Sequence, residues 1–246
     1  MVKKTNKGSG KSTGFSLVGI ASRRRESIRI KAKKQRSESS RKWLLRHFND
    51  PYVAAAWEEG YRSRAAYKLL QLDEQFHLLH PTMRVVDLGA APGGWSQVVA
   101  KKIGSKGKLV ALDILPMEPL AGVDIIEMDF LKEDAPDRLK KALGGQADLV
   151  LSDLAPSSTG HARTDHIRIM DMTELAAHFA MEVLLPGGTF VCKFFQGGAE
   201  KTLLDKLKKN FSKVKHAKPA ASRSESSETY LVAQGFGKRL IKSPTN

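Results

Sequence analysis

Residues 85–95 read VVDLGAAPGGW, from Val85 to Trp95, and this stretch decides the fold. A short apolar strand pattern runs into a turn of small residues, and a helical pattern opens at Trp95. Small residues in such a turn let a ligand approach the backbone closely. The stretch therefore predicts a strand, a ligand-binding turn and a helix. The turn lacks the G-x-G-x-x-G fingerprint of dinucleotide-binding proteins, and an ordinary tight turn is the alternative.

Further apolar runs and helical patterns alternate along the chain. The predicted strands are 84–88, 108–113, 124–127, 148–153, 189–193, 213–216 and 229–233. The predicted helices are 41–48, 62–79, 95–103, 136–143, 165–184 and 199–210. This alternation predicts an α/β fold, in which a central, mostly parallel seven-stranded sheet is covered by helices on both faces.

The positive charge is unevenly distributed over the 246 residues. The net charge is +15, and residues 1–40 hold twelve Lys or Arg against two Glu. That stretch is too polar to bury enough surface to fold, so we predict a disordered basic arm over 1–40. A domain over 41–240 and a short tail over 241–246 would follow. An excess of positive charge favours a polyanionic partner such as a nucleic acid.

Cysteine content and hydropathy suggest a cellular location. Cys192 is the only cysteine, so an intrachain disulfide is impossible. The sequence has neither an apolar run of transmembrane length nor an apolar signal core, so we expect no membrane association. We predict a cytoplasmic protein. Organelle import is the alternative, because the first 40 residues are rich in Arg and Ser and poor in acids.

Two acidic residues follow the next predicted strands. Asp113 ends the second strand about 20 residues after the glycine-rich turn, where a carboxylate can accept hydrogen bonds from ribose hydroxyls. Asp129 follows the third strand and could contact an adenine ring. In an open parallel sheet, ligands bind beyond the carboxyl ends of the strands. The sequence therefore predicts a nucleoside-type ligand at this edge.

Four ionisable residues fall where a central cleft is expected. Lys68 lies on the helix before the first strand, Asp153 and Lys193 end the fourth and fifth strands, and Glu228 begins the last strand. Each by itself could be a solvated strand end. A charge at the end of a buried strand otherwise needs a partner, and the four together indicate a catalytic cluster.

These residues lie in motifs that resemble the FtsJ/RrmJ family of ribosomal RNA 2′-O-methyltransferases. The resemblance runs from about Tyr61 to Phe236. It rests on the motifs SRAAYKL (63–69), DLGAAPGGW (87–95), SDLAP (152–156), PGG (186–188), KFFQG (193–197), KP (218–219), ASR (221–223) and SSE (226–228). The order and local context of these motifs match, which is more specific than any one of them.

The resemblance implies a Rossmann-like, class I fold that uses S-adenosyl-L-methionine. It places the family's Lys-Asp-Lys-Glu tetrad on Lys68, Asp153, Lys193 and Glu228. It implies that the following residues contact the cofactor: Gly93, Trp95, Asp113, Asp129 and Asp153. The implied substrate is a uridine ribose in the aminoacyl-site loop of large-subunit ribosomal RNA, and we expect a monomer that acts in ribosome maturation.

Other functions stay open at this point. The same chemistry could act on transfer RNA, and a non-catalytic RNA-binding assembly factor could use the same fold. Four basic residues near the cleft are candidates to hold RNA phosphates: Arg62, Arg64, Lys218 and Arg223. The seven histidines show no ligand spacing and one cysteine cannot build a structural zinc site, so we predict no metal.

The chemistry requires a proton acceptor. A ribose hydroxyl is a weak nucleophile while it is protonated, so the enzyme must align it with the methyl donor and remove its proton. Our hypothesis is that Lys193 is the general base, with Asp153 and Glu228 orienting the two lysines and the hydroxyl. Alternatively, Lys193 stays charged and only positions the oxygen.

Overall fold

The computed structural model describes residues 44–45, 48–156, 159–195, 200–224 and 226–237. The predicted arm (1–40) and tail (241–246) lie outside these residues, so both remain predictions. Most of the predicted helix 41–48 lies outside them as well, although Leu44, Leu45 and Phe48 are helical. The chain divides into two units, Met1–Pro51 and Tyr52–Asn246, and the second contains the sheet.

Six helices and seven strands are defined in the described part of the chain. The helices are α1 (Pro51–Glu58), α2 (Ala65–Phe76), α3 (Gly94–Ile103), α4 (Ala135–Leu143), α5 (Ala162–Val183) and α6 (Glu200–Asn210). The strands are β1 (Arg84–Leu88), β2 (Lys108–Asp113), β3 (Val123–Glu127), β4 (Ala147–Ser152), β5 (Leu184–Phe195), β6 (Phe211–Ala217) and β7 (Glu228–Phe236).

The seven strands form one sheet in the order β3-β2-β1-β4-β5-β7-β6. All neighbours are parallel except that β7 is antiparallel to both β5 and β6. The strand order reverses between β1 and β4, and a reversal of this kind opens a crevice at the carboxyl ends of the strands. The predicted fold class, a mostly parallel seven-stranded α/β sheet, is confirmed.

Helices cover both faces of the sheet and bury two apolar clusters. One face packs on α4, α5 and α6, with Leu139, Ala180 and Leu207 fully buried. The other packs on α2 and α3, with Leu69 and Val99 fully buried. Burial on both faces explains why the central strands are continuous apolar runs. In the described residues no helix is both long and apolar enough to cross a membrane.

Most of the predicted boundaries differ from the observed ones by one to three residues, and the largest difference is at the start of β5. The strand predicted over 189–193 begins at Leu184 instead, because pairing with β4 continues across Pro186-Gly187-Gly188 with a register shift between Ala147 and Leu149. Proline and glycine usually indicate a turn, so the sequence pattern hid this extension. The helix predicted over 62–79 is shorter, since it begins at Ala65 and ends at Phe76.

A buried carboxylate ends α2. His77 takes a left-handed conformation, and the Asp73 Oδ1 atom accepts hydrogen bonds from the amides of Leu78 and Leu79 at 3.0 and 2.8 Å. The Asp73 Oδ2 atom lies 2.9 Å from Lys102 Nζ on α3. One side chain therefore satisfies two backbone donors beyond the helix end and ties α2 to α3.

We expect Asp73→Ala to lower the free energy of unfolding by about 2–4 kcal/mol, because it leaves two buried amides without acceptors. Urea denaturation measures the change. The matched control is Glu74→Ala, since Glu74 is the exposed neighbour on the same helix and should change stability by less than about 0.5 kcal/mol. Equal effects of the two substitutions would contradict this account of the helix end.

Candidate active site

A cleft of about 560 Å³ lies at the carboxyl ends of β1 to β5. It is lined by residues near or just beyond the last residues of these strands, among them Gly89, Asp113, Asp129, Asp153 and Lys193. Its size is in the range of small-molecule sites. The cleft therefore lies at the reversal of strand order, where an open α/β sheet binds its ligand.

Glycine is required at the base of the cleft. Gly89 has φ +76°, and a β-carbon there would lie 2.8 Å from the backbone nitrogen of Leu154 and 2.9 Å from its α-carbon. The turn after β1 and the loop after β4 thus touch through their backbones. A side chain at this position would force them apart, so the glycine keeps the wall of the cleft closed.

Two carboxylates of the cleft are held by backbone amides. Asp113 accepts hydrogen bonds from the amides of Ala91 and Leu115, each at 2.9 Å, and Asp129 accepts one from Leu131 at 2.9 Å. These bonds fix the carboxylates while leaving lone pairs for hydroxyl or amino groups of a ligand. The structure therefore places Asp113 and Asp129, two predicted cofactor contacts, in one cleft.

Apolar side chains border the same carboxylates. Ile114, Leu115 and Leu131 line the cleft, and they are 61%, 61% and 56% exposed. A large aliphatic side chain exposed beside fixed acceptors suits a flat ring that is apolar on its faces and polar at its edge. The sequence patterns did not single out these three residues, because isolated apolar residues in loops have no periodicity.

The four predicted catalytic residues form two ion pairs. Lys193 Nζ lies 3.0 Å from Asp153 Oδ1, and it donates a further hydrogen bond of 2.8 Å to the Asp153 carbonyl oxygen. Lys68 Nζ lies 2.7 Å from Glu228 Oε1, which also accepts a bond from Ser222 Oγ at 3.0 Å. All four side chains are less than one-fifth exposed. The tetrad is thus brought together from α2, β5, β7 and the residue that follows β4.

Asp153 is ionised and Tyr230 is protonated at neutral pH. Burial alone would raise the pKa of Asp153, but the charges of Lys193 and Lys68 and the hydrogen bonds from Lys193 and Tyr230 lower it below its ordinary value. Burial raises the pKa of Tyr230, and the charges of Asp153 and Glu228 raise it further. The Tyr230 hydroxyl therefore donates its hydrogen bond of 2.9 Å to Asp153 Oδ1.

Tyr230 is a residue of the site that the sequence analysis did not select. It is fully buried, its ring packs against Trp95 at 5.6 Å between centroids, and Lys68 Nζ lies 5.8 Å from its ring centre. It follows Glu228 by two residues on the same strand, so the two side chains share one face of the sheet. That spacing is the signal that could have identified it.

Gly93 and Trp95 lie beside the cleft and are not among its lining residues. The Trp95 indole is buried, and its N–H donates a hydrogen bond of 2.8 Å to the Ala65 carbonyl. Any cofactor contact of Trp95 therefore rests on its backbone N–H, which belongs to the first turn of α3 and has no acceptor within the helix. Both predicted contacts remain predictions.

Three basic residues predicted as phosphate contacts bond to backbone carbonyls, and their contact with RNA remains a prediction. The Arg62 guanidinium donates to the carbonyls of Pro92 (3.3 Å), Glu118 (2.7 Å) and Pro119 (2.8 Å). Arg64 donates to the Ala221 carbonyl, and Lys218 Nζ donates to the carbonyls of Ser224 and Ser226 at 3.2 and 2.7 Å. These side chains brace the loops around the cleft, which sequence patterns cannot reveal.

Asp87 is a buried acid next to the cleft. It is fully buried, its Oδ2 atom accepts a hydrogen bond of 2.7 Å from Ser96 Oγ, and its Oδ1 atom has no partner among the described residues. Burial raises the pKa of Asp87 to about 7; the Ser96 bond opposes this, and the charges of Asp153 and Asp113 add to it. Within the described ranges, no three His, Cys, Asp or Glu side chains cluster as a metal site would.

The fold and the cleft define the class of protein, a Rossmann-like α/β protein with a small-molecule cleft where the strand order reverses. The model of the FtsJ-like methyltransferase family matches residues 61–236, and the chain belongs to this family. The resemblance drawn from the sequence motifs is thereby confirmed.

Individual relatives agree with this assignment. The chain is 58% identical to "Ribosomal RNA large subunit methyltransferase E" of Paramagnetospirillum magneticum, over 94% of this chain and 96% of the relative. It is also 58% identical to the protein of the same name from Xanthobacter autotrophicus, over 85% and 84% of the two chains. A crystal structure from Plasmodium falciparum, provisionally named a ribosomal RNA methyltransferase, is 31% identical with a TM-score of 0.64. That match covers 72% of this chain and 98% of the other.

The raised pKa of Asp87 predicts a pH dependence of stability. Between about pH 4 and 7 the unfolded chain releases this proton while the folded chain keeps it, so stability falls as pH rises through this window, by on the order of 4 kcal/mol. Urea unfolding from pH 4 to 8 measures the change. Asparagine cannot titrate, so Asp87→Asn should show a smaller decrease in the free energy of unfolding over this pH range. The control, exposed Asp137→Asn, should keep the wild-type decrease. A wild-type pH dependence in the Asp87→Asn protein would refute the prediction.

Proposed function

We propose that this chain transfers a methyl group from S-adenosyl-L-methionine to the 2′-hydroxyl of a uridine ribose in large-subunit ribosomal RNA, at the aminoacyl-site loop. The observation that carries the proposal is the paired Lys–Asp–Lys–Glu cluster beside a carboxylate-lined cleft. The names of the relatives at 58% identity support ribosomal RNA as the substrate. They do not favour transfer RNA or a non-catalytic assembly factor.

The residues of the cleft fit S-adenosyl-L-methionine. This molecule carries ribose hydroxyls, a flat adenine ring, an ammonium group and a sulfonium. Asp113 would accept bonds from the ribose, and Asp129 with the exposed Ile114 and Leu115 would hold the adenine. The ionised Asp153 would favour the cationic end of the ligand. When bound, the cofactor supplies a methyl group that is already strongly electrophilic.

The tetrad then has to position and deprotonate the ribose hydroxyl. A neutral lysine amine has two N–H donors and one lone pair, and Lys193 has two acceptors in Asp153, its carboxylate and its carbonyl oxygen. If both donors are used in this way, the lone pair is left to accept the hydroxyl proton. Proton removal by a positioned base contributes roughly 10²–10⁴-fold to a rate.

Lys68 and Glu228 form the second half of the machinery. Their ion pair lies at the start of β7, and Ser222 holds the Glu228 carboxylate from the other side. Tyr230 links this pair to Asp153, because it bonds Asp153 and its ring lies under Lys68. The four charges thus act as one network that orients the hydroxyl and Lys193.

The decisive experiment is methyl transfer from labelled S-adenosylmethionine to large ribosomal subunits that lack their ribose methylation. We expect label on a uridine 2′-oxygen, identified by nucleoside analysis, and its loss in Lys193→Ala. Transfer RNA is assayed alongside. Label on transfer RNA alone would support the mechanism but show that the substrate is transfer RNA. No label on any RNA would refute the enzymatic proposal.

Lys193→Arg separates a base from a fixed charge. Arginine keeps the positive charge but cannot accept a proton at neutral pH. If Lys193 is the base, we expect the single-turnover rate to fall by about 100-fold or more with cofactor affinity retained. Turnover near the wild-type rate would show that Lys193 only positions the oxygen.

Arg62 should affect cofactor affinity rather than chemistry. Its three carbonyl bonds tie the glycine-rich turn to residues 118–119, at the far end of the loop that carries Ile114 and Leu115. Lysine cannot span these acceptors, so we expect Arg62→Lys to raise the Kd for S-adenosylmethionine about tenfold, with kcat at saturation less affected.

The matched control for Arg62 is Arg84→Lys. Arg84 also donates to a backbone carbonyl, that of Leu143 at 2.7 Å, but at the opposite edge of the sheet. Calorimetric titration with the cofactor should show an unchanged Kd for the control. A similar loss of affinity in both variants would mean that general destabilisation is the cause.

A further inference from the structure

The positive charge that lies outside residues 1–40 is concentrated in one segment, Glu200–Lys218. This segment contains seven lysines and two acidic residues, a net charge of +5. The rest of the chain after residue 40 carries equal numbers of acidic and basic residues. The segment consists of α6, β6 and the residue that follows, Lys218. We name it the basic edge, because β6 is the last strand of the sheet.

Two lysines of the basic edge project from the sheet face that carries the tetrad. Lys213 and Lys215 are exposed, and side chains of a strand alternate between faces, so both share a face with Ala217. Ala217 is buried in the same apolar cluster as Trp95 and Tyr230. Helix α2 covers this face over the inner strands of the sheet and leaves the two lysines on the edge strand β6 exposed.

The pairing of strands connects these lysines to the active site. Lys193 is paired with Tyr230, and Tyr230 is paired with Ala217, so one row of the sheet leads from the tetrad to β6. Neighbouring strands lie about 4.8 Å apart, so Ala217 lies roughly 10 Å from Lys193 between α-carbons. From Ala217, Lys215 is about 7 Å along the strand and Lys213 about 13 Å.

Four lysines of the basic edge carry charges that no acidic side chain of the described residues neutralises. In the described part of the chain, no acidic side chain forms an ion pair with Lys206, Lys209, Lys213 or Lys215. Lysines elsewhere do pair, as Lys108 does with Asp124 and Lys140 with Glu182. Unpaired, closely spaced ammonium groups repel one another and attract a polyanion.

We propose that the basic edge binds the phosphate backbone of the RNA strand that flanks the nucleotide at the cleft. The proposal rests on the proposed function, since it assigns a path to that substrate. Lysines act as point charges toward phosphates and read no sequence, so this surface would supply affinity and register while the cleft selects the ribose.

Two structural explanations for the same lysines make different predictions. Lysines on an edge strand can prevent pairing with another sheet, and Lys208 and Lys209 in the last turn of α6 suit the helix dipole. The first explanation predicts aggregation when Lys213 and Lys215 are replaced. Neither explanation predicts a change in the salt dependence of RNA binding, because that dependence is proportional to the number of phosphates that the protein neutralises.

The test compares three double variants of the full chain, with a large-subunit RNA fragment that contains the aminoacyl-site loop as the probe. In Lys213→Gln/Lys215→Gln we expect the slope of log K against log salt to become shallower by about 1.4, at about 0.7 per single-strand contact. We expect the KM for this RNA to rise roughly tenfold near 0.15 M salt, with kcat and the cofactor Kd retained.

The other two variants serve as controls. Lys213→Arg/Lys215→Arg keeps the charges and should restore the slope. Lys101→Gln/Lys106→Gln removes two exposed lysines near the carboxyl-terminal end of α3, away from the cleft. This variant should leave both the salt slope of RNA binding and the KM for RNA unchanged.

An unchanged slope in Lys213→Gln/Lys215→Gln would overturn the proposal, and aggregation with an unchanged slope would assign the lysines to edge protection. RNA binding is measured without turnover, so the salt slope tests the basic edge even if large-subunit RNA proves not to be methylated. If the RNA is not methylated but the double glutamine variant has a shallower salt slope, the proposed function is refuted and the basic edge is still supported as an RNA-binding surface.

Discussion

The structure depends on placing four charged side chains at the end of an otherwise apolar sheet. Each of these charges would be costly to bury alone, and together they form two ion pairs that offset the loss of hydration. One pair joins α2 to the start of β7, and the other joins β5 to the residue that follows β4. Tyr230 connects the pairs, because it donates to Asp153 and lies under Lys68.

The same network separates the protonation states of neighbouring acids. The two lysines hold the pKa of Asp153 low, whereas burial with no cationic partner raises the pKa of Asp87 to about 7. Opposite pKa shifts in neighbouring carboxyl groups are typical of functional sites. Here one acid stays ionised and pairs with Lys193, and the other is a buried acid behind the glycine-rich turn that bonds Ser96 on α3.

The basic residues of the described chain lie in two kinds of environment. Arg62, Arg64 and Lys218, near the cleft, bond to backbone carbonyls and shape the loops. Lys206, Lys209, Lys213 and Lys215 of the basic edge have no acidic partner in the described residues, and Lys213 and Lys215 are exposed. Cationic side chains that bond to backbone carbonyls therefore lie around the cleft, while exposed lysines lie farther out on β6, where we propose that RNA binds.

The sequence by itself determined the fold class, the order of the strands along the chain and the four ionisable residues that meet beside the cleft, whose catalytic roles remain a prediction. These follow from local patterns: apolar runs ended by Asp153 and Lys193, small residues after β1, and motifs whose order is specific to one family. Strand order in the sheet, the extension of β5 across Pro186-Gly187-Gly188 and the role of Arg62 were decided only by the tertiary structure. The physical reason is that each depends on a partner distant in sequence, such as the Glu118 carbonyl for Arg62 or the β4 backbone for β5.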